Sequence, residues 1–91
     1  MTISSRTATA ERRLSELRAG ERAYVTRIDL EGPQRRRLMD LGFVPGTAVT
    51  VEFASPLGDP RSYRVRQALI ALRDEQARHI VVRPVDTENQ R

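Results

Sequence analysis

Side chains that could support catalysis or metal binding are few in this chain and lie far apart. His79 is the only histidine, and Glu75 precedes it at a spacing that would place both on one face of a helix. One nitrogen ligand and one carboxylate do not make a transition-metal site, which usually draws on several nitrogen or sulfur ligands. We therefore predict an exposed histidine at the start of a strand, and no metal ligand.

Acid–base and nucleophilic catalysis have equally little support. Asp40, Asp59 and Asp74 fall in three separate turns, whereas a general acid or base needs a partner within hydrogen-bond reach. No GxSxG, HExxH or phosphate-loop pattern occurs. The chain also lacks cysteine, which excludes a disulfide framework, a thiolate metal site and a cysteine nucleophile. We predict a protein that is not an enzyme, with no catalytic residue and no cofactor.

The composition is that of one small, charged domain. Of the 91 residues, 38% are hydrophobic and 31% charged, which supports a small core under a charged surface. The net charge is +4 and every basic residue is arginine, a pattern compatible with phosphate binding or with charges scattered over a solvated surface. No apolar run approaches the roughly 18 residues of a membrane span, and residues 1–13 lack the apolar segment of a signal peptide. We expect a cytoplasmic location.

Glycine and proline divide the chain into short strands with one helix. Gly32-Pro33 begins the helix, because proline suits the first helical position, and Gly42 supplies a left-handed stop. We predict a mainly β fold, a compact antiparallel barrel with this helix between the first two strands. The predicted strands are residues 22–28, 47–54, 62–66, 68–73 and 79–85. The predicted regions are a flexible lead-in at 1–13, a domain at 14–85 and a polar tail at 86–91.

The clearest of these strands, residues 47–54, alternates between apolar and polar side chains. Val49, Val51 and Phe53 occupy one face of it, and Thr50 lies on the other. We therefore predict that Phe53 faces the core.

The helix carries candidate contacts for a partner protein. Leu38 and Met39 are adjacent, so they diverge by about 100° around the helix and one of them should point away from the core. An exposed apolar group beside Arg36 and Arg37 is typical of a docking edge. The rigid turn at residues 56–60 offers a second apolar contact at its tip. The predicted partner-binding residues are Arg36, Arg37, Leu38, Met39 and Leu57.

The order and spacing of four motifs resemble the FeoA family over nearly the whole predicted domain. The motifs are Leu14-x-x-Leu17-x-x-Gly20, Arg37-Leu38-x-x-Leu41-Gly42-Phe43-x-Pro45-Gly46, Pro56-Leu57-Gly58-Asp59-Pro60, and Ile70-Ala71-Leu72-Arg73 followed by Ile80-Val81-Val82. One departure is Gln67, where the family often has glycine, and we expect an altered bend there.

The resemblance implies a fold, a role and a partner. The fold is an SH3-like β-barrel. The role is that of a non-enzymatic accessory protein of bacterial ferrous iron uptake, acting on the cytoplasmic GTP-binding portion of the membrane transporter FeoB. At the level of the family, the resemblance also implies an association with transition metal ions.

Other functions stay open at this point. A basic barrel could bind nucleic acid, for which aromatic side chains interleaved with basic ones are the expected signature. Tyr63 beside Arg64 is the only candidate for such stacking, since Phe53 is assigned to the core. Domains similar to FeoA are also fused to iron-dependent repressors as regulatory modules. A homo-oligomer formed through barrel edges stays open as well.

Overall fold

The computed structural model describes residues 10–85, which form one six-stranded antiparallel sheet with two helices. The predicted polar tail at 86–91, and residues 1–9 of the predicted lead-in, lie outside the described residues. The strands are β1 (Arg12–Arg13), β2 (Arg22–Ile28), β3 (Ala48–Ala54), β4 (Arg61–Val65), β5 (Ala68–Leu72) and β6 (Ile80–Pro84). The helices are α1 (Gly32–Asp40) and α2 (Asp74–Ala77), and a 3-10 turn covers Leu14–Glu16.

The sheet order is β1-β6-β2-β3-β4-β5, so the last strand of the chain lies between β1 and β2. The predicted mainly β, antiparallel architecture is confirmed, and α1 lies between β2 and β3 as expected. Two differences are small. Arg12 and Arg13 of the predicted lead-in pair with Val82 and Val81. The predicted turn after residue 73 is a single helical turn.

The core is made almost entirely of aliphatic side chains, most of them on the strands and the rest on the helices, the 3-10 turn and the connecting loops. Its buried members are Leu14, Leu17, Ala23, Val25, Ile28, Leu38, Phe43, Val49, Val51, Tyr63, Val65, Leu72, Ala77, Ile80, Val81 and Val82. No polar or charged side chain of the described residues is buried, which agrees with the high cost of burying an unpaired charge. Hydrophobic burial therefore carries the stability of the domain.

The prediction that Phe53 faces the core is wrong. Val49 and Val51 are buried, but Phe53 is 54% exposed. The pairing of β3 with β4 shifts between Val51 and Phe53, so an extra residue enters β3 at this point. Such a bulge reverses the alternation of faces beyond it, and Phe53 turns outward.

The predicted end of α1 is confirmed at Gly42. Gly42 has a φ of +116°, and its N–H donates to the carbonyl oxygen of Met39 at 3.0 Å. A Cβ atom at this position would lie 2.9 Å from Cγ1 of Val65. Glycine is therefore required both by the backbone angle and by the close approach of β4.

The bend between β4 and β5 is a two-residue hairpin loop. Val65 pairs with Ala68, which leaves Arg66 and Gln67 as the loop. Arg66, with a φ of +60°, is the residue in the left-handed region, whereas Gln67 is not. The backbone angle that favours glycine therefore falls one residue before the position at which the sequence departs from the FeoA pattern.

A single arginine joins β4 to the 3-10 turn at the start of the sheet. The Arg61 guanidinium donates hydrogen bonds to the carbonyl oxygens of Leu17, Ser15 (3.0 Å) and Leu14 (3.2 Å). Its Nε also donates to the Tyr63 hydroxyl oxygen at 3.2 Å, and the guanidinium carbon lies 5.4 Å from the centre of the Tyr63 ring. The carbonyls of Ser15 and Leu17 have no partner within the turn and are satisfied by these bonds, whereas the Leu14 carbonyl also accepts from the N–H of Leu17 at 3.2 Å.

Candidate functional site

A groove of about 600 Å³ lies between α1 and α2. From the α1 side it is lined by Gln34, Arg37 and Leu38, which lie three and four residues apart and so share one face of the helix. From the α2 side it is lined by Glu75 and His79, among others. The groove thus has an apolar floor and a rim of mixed charge.

Backbone hydrogen bonds hold the α2 side of this groove in place. The N–H of Asp29, at the end of β2, donates to the carbonyl oxygen of His79 at 2.7 Å. The N–H of His79 in turn donates to the carbonyl oxygen of Gln76 at 3.2 Å. The N–H of Asp74, at the start of α2, donates to Oδ1 of Asp59 at 2.9 Å. The start of α2 is therefore tied to the loop before β4, and the segment that follows α2 is tied to the end of β2.

The arginines of α1 differ electrostatically from most arginines of the sheet. Within residues 10–85, no ion pair or side-chain hydrogen bond involves Arg35, Arg36 or Arg37, and all three are exposed. The arginines that do form ion pairs are Arg12, Arg13, Arg27, Arg64 and Arg78. The surface of α1 therefore presents positive charge that the described part of the chain does not neutralise.

The five predicted contact residues do not form one continuous surface. Arg37 and Leu38 line the groove, whereas Arg36 lies on the neighbouring face of α1. Met39 is half-buried and packs against the core. Leu57 is 92% exposed on the loop between β3 and β4 and does not line the groove.

The prediction for Leu38 needs a correction. Leu38 is only 2% exposed and belongs to the core, so it can form the floor of the groove but cannot project from the surface as an apolar anchor. The expectation that either Leu38 or Met39 points away from the core is not met, because Leu38 is buried and Met39 is half-buried against the core. The more exposed apolar side chain at this end of the helix is Leu41, which is 37% exposed.

Sequence reasoning missed the α2 side of the groove. The sequence singles out Glu75 and His79 only as possible metal ligands, and it gives no signal for Gln76 and Arg78, which also line the groove. On the α1 side, the spacing of Gln34, Arg37 and Leu38 indicates that they share one face of the helix. Among residues 10–85, no three His, Cys, Asp or Glu side chains are grouped so that they could hold a metal ion.

Two further observations bear on the functions that the sequence left open. Tyr63, the stacking candidate that the sequence offers, is buried in the core, whereas Phe53, which the sequence assigns to the core, is 54% exposed. An accessible aromatic ring is what stacking on nucleic acid needs, and Tyr63 does not provide one. Within the described residues, no helix combines the length and the hydropathy that a membrane-spanning helix requires.

Comparisons with known proteins agree with this fold. A FeoA protein from Chlorobium tepidum, solved by NMR, is 43% identical, superposes with a TM-score of 0.76, and matches 81% of this chain and 70% of its own. The zinc-bound FeoA of Stenotrophomonas maltophilia, described as a prokaryotic SH3 domain protein, is 36% identical with a TM-score of 0.68, over 77% of this chain and 87% of its own. The SH3-like fold is thereby confirmed.

A longer relative places such a domain in one polypeptide with a transporter. A fusion of Fe(2+) transport protein A with the Fe(2+) transporter FeoB, from Porphyromonas gingivalis, is 41% identical over 70 residues. The match covers 77% of this chain but only 8% of the length of the fusion protein. The FeoA domain family itself matches residues 12–84, from β1 to the end of β6. The chain belongs to the FeoA family.

Proposed function

We propose that this chain is a non-enzymatic, cytoplasmic accessory protein of bacterial ferrous iron uptake. In this proposal it docks on the cytoplasmic GTP-binding portion of a FeoB-type transporter and modulates it. The observation that carries the proposal is the P. gingivalis relative, in which a domain 41% identical to this chain is part of the same polypeptide as FeoB. Physical linkage of two domains raises their effective concentration, which favours an arrangement in which they interact.

The exposed charge of α1 and the groove beside it support α1 as the place of contact with the transporter. Arg36 and Arg37 are exposed and have no ion-pair partner within residues 10–85. Arginine side chains of this kind suit bidentate contacts with carboxylates, and they increase the rate of association with an acidic surface. The groove beside Arg37 can then accept an apolar side chain of the partner above Leu38. Met39 acts by holding α1 against the core, since it is half-buried there.

Leu57 provides a second contact in this proposal. A leucine that is 92% exposed contributes little to folding, so its burial against a partner would be a net gain. Residues 55–60 are held at both ends, because Ser55 N–H donates to the Pro60 carbonyl oxygen at 3.2 Å and Asp59 accepts from Asp74. A loop held in this way loses less conformational entropy on binding.

A titration of the full chain against the soluble GTP-binding domain of a FeoB-type transporter tests this proposal. Reversing both charges, Arg36→Glu with Arg37→Glu, should weaken binding at least about tenfold and reduce its dependence on salt. Leu57→Ser should weaken binding by a smaller factor without changing stability. Leu38→Asp is unsuitable, because it would place a charge in the core. Addition of the chain should also change the rate of GTP hydrolysis by that domain.

The matched control reverses two arginines away from α1. Arg18 and Arg22 are exposed and form no ion pair in the described part of the chain, so Arg18→Glu with Arg22→Glu changes the net charge by the same amount. Its binding should stay within about threefold of the parent chain. Equal loss in both double variants would contradict a site on α1. Absence of any binding by the parent chain would contradict the proposed function itself.

A further inference from the structure

β5 is an edge strand without the features that normally protect an edge. Among the described strands it pairs only with β4. Its five residues, Ala68–Leu72, read Ala-Leu-Ile-Ala-Leu and include no charged residue, no proline and no bulge. Leu69 is 47% exposed, and Ala71 is exposed as well. An exposed apolar edge of this kind is a template for pairing with another strand.

The pairing with β4 shows which backbone groups of β5 point outward. In a two-residue hairpin the pair next to the loop exchanges both hydrogen bonds, so Val65–Ala68 and every second pair after it are hydrogen-bonded. The pairing of β4 with β3 agrees with this alternation. Backbone hydrogen bonds join Val51 to Gly20 and Glu21, so the N–H and carbonyl groups of Val51 point away from β4. The N–H and carbonyl groups of Leu69 and Ala71 consequently point away from the sheet.

We propose that the β5 edges of two copies of this chain pair antiparallel about a two-fold axis at Ile70. In this register Leu69 of one copy lies opposite Ala71 of the other, and the reverse, so four hydrogen bonds form between the outward-pointing groups. The exposed Leu69 side chain then packs beside Ala71 of the second copy on the outer face. The two sheets become one continuous sheet.

The charges that flank β5 favour a second copy as the occupant. In the register centred on Ile70, Arg66 of one copy is placed towards Asp74 of the other, and Gln67 towards Arg73. Opposite charges therefore meet at both ends of the pairing, and no like charges lie directly opposite. Arg64, on the adjacent strand, is paired with Glu52 at 2.9 Å, whereas Asp74 has only a longer, exposed contact of 3.9 Å with Arg78. A self-complementary pattern of this kind is what a two-fold interface requires.

The contact is small, so the association should be weak. One pair of five-residue strands with few side chains buries less surface than the ~1,200 Å² at which stable interfaces begin. We therefore expect association that depends on concentration and becomes measurable only towards about 1 mM of the full chain. Sedimentation velocity over a dilution series measures it. A parent chain that sediments as a monomer at every concentration would overturn the proposal.

Proline substitution separates edge pairing from folding. The N–H of Leu69 is not used within the sheet, so Leu69→Pro removes an intermolecular donor and leaves the β4–β5 ladder intact. This variant should keep the unfolding midpoint of the parent and associate at least about tenfold more weakly. The control Leu69→Val keeps the donor and an apolar side chain, and it should associate as the parent does. Unchanged association of Leu69→Pro, or equal loss in both variants, would overturn pairing through the backbone.

A charge exchange tests the register. Arg66→Glu and Asp74→Arg should each weaken association severalfold, and the double variant should restore it, because opposite charges then meet again. A double variant weaker than either single variant would overturn the register. If Leu69→Pro weakens binding to the transporter domain while the parent chain remains a monomer, the edge accepts a strand of that partner and self-pairing is overturned.

Discussion

The two edges of the sheet are built in opposite ways. β1 consists of two arginines, and each is held in ion pairs: Arg12 with Glu16 (3.8 Å) and Glu21 (4.0 Å), and Arg13 with Asp29 (3.3 Å). β5 has five apolar residues in succession and no charge. A short, charged edge resists the addition of another strand, whereas a long apolar one invites it. The comparison supports β5 as the edge for the proposed self-pairing and leaves β1 to close the fold.

The β1 edge and the turn that follows it are attached to the rest of the fold by a side chain as well as by strand pairing. Arg61 extends from β4 to the 3-10 turn that follows β1 and donates to three of its carbonyl oxygens. Leu14 and Leu17 from this region are buried in the core beneath it. No corresponding side chain covers β5 among residues 10–85, where the ladder to β4 is the main attachment. Substitutions at Arg61, in the β4–β5 loop and at Tyr63 therefore test the two sides separately.

The largest expected effect is loss of the Arg61 guanidinium. Arg61→Met keeps an apolar stem of similar length but removes the donor from the carbonyl oxygens of Ser15 and Leu17 and one of two donors from that of Leu14. The free energy of unfolding should therefore fall by about 2–3 kcal/mol. Urea denaturation measures the change. Arg64→Met is the matched control, because its exposed ion pair with Glu52 should contribute less than about 1 kcal/mol. Equal losses would show that Arg61 does not close this side of the fold.

A smaller effect, of opposite sign, is expected at the loop that precedes β5. Arg66 has a φ of +60°, a conformation that costs a non-glycine residue roughly 1 kcal/mol. Arg66→Gly should therefore raise the free energy of unfolding by up to about 1 kcal/mol. The greater conformational entropy that glycine gives to the unfolded chain reduces this gain. Gln67→Gly should lower it, because Gln67 does not need a positive φ. Thermal unfolding measures the stability of both variants. Stabilisation by Gln67→Gly but not by Arg66→Gly would contradict the assignment of the positive φ to Arg66.

The smallest effect appears only at alkaline pH and concerns Tyr63, which contacts Arg61. Burial raises the pKa of Tyr63, although the Arg61 guanidinium partly opposes this shift. The folded state therefore favours the neutral phenol. Below about pH 10 the free energy of unfolding should not change with the ionisation of Tyr63. It should fall as the pH rises further, because the unfolded chain then releases the phenol proton more readily than the folded chain does. Tyr63→Phe should reduce this fall.

Local signals predicted most of the fold. Gly32-Pro33 and Gly42 marked the limits of α1, and the strand of residues 22–28 has the predicted bounds. Phe53 could not be placed, because a bulge depends on how β4 pairs with β3 and leaves no mark in the alternation itself. β1 was missed for a similar reason, since two arginines become a strand only through their pairing with β6.

The candidate site was less accessible from the sequence. The exposed arginines of α1 could be predicted from its composition, but the direction of Leu38 depends on which face of the helix meets the sheet. The groove needs α2 beside α1, and that neighbour is set by the long-range pairing of β6 with β2. Residues that line a surface formed by distant segments carry no common pattern along the chain.

The position of β6 between β1 and β2 also has a consequence for synthesis. Strand pairing around the closed side joins Arg12 to Val82 and Val25 to Val82, so the contacts that complete the sheet are among the most distant in sequence. Contacts of this kind form late in folding, because a long loop must be closed first. A nascent chain on the ribosome can form the β2–β5 meander early. It can complete its core only after Pro84 has left the exit tunnel.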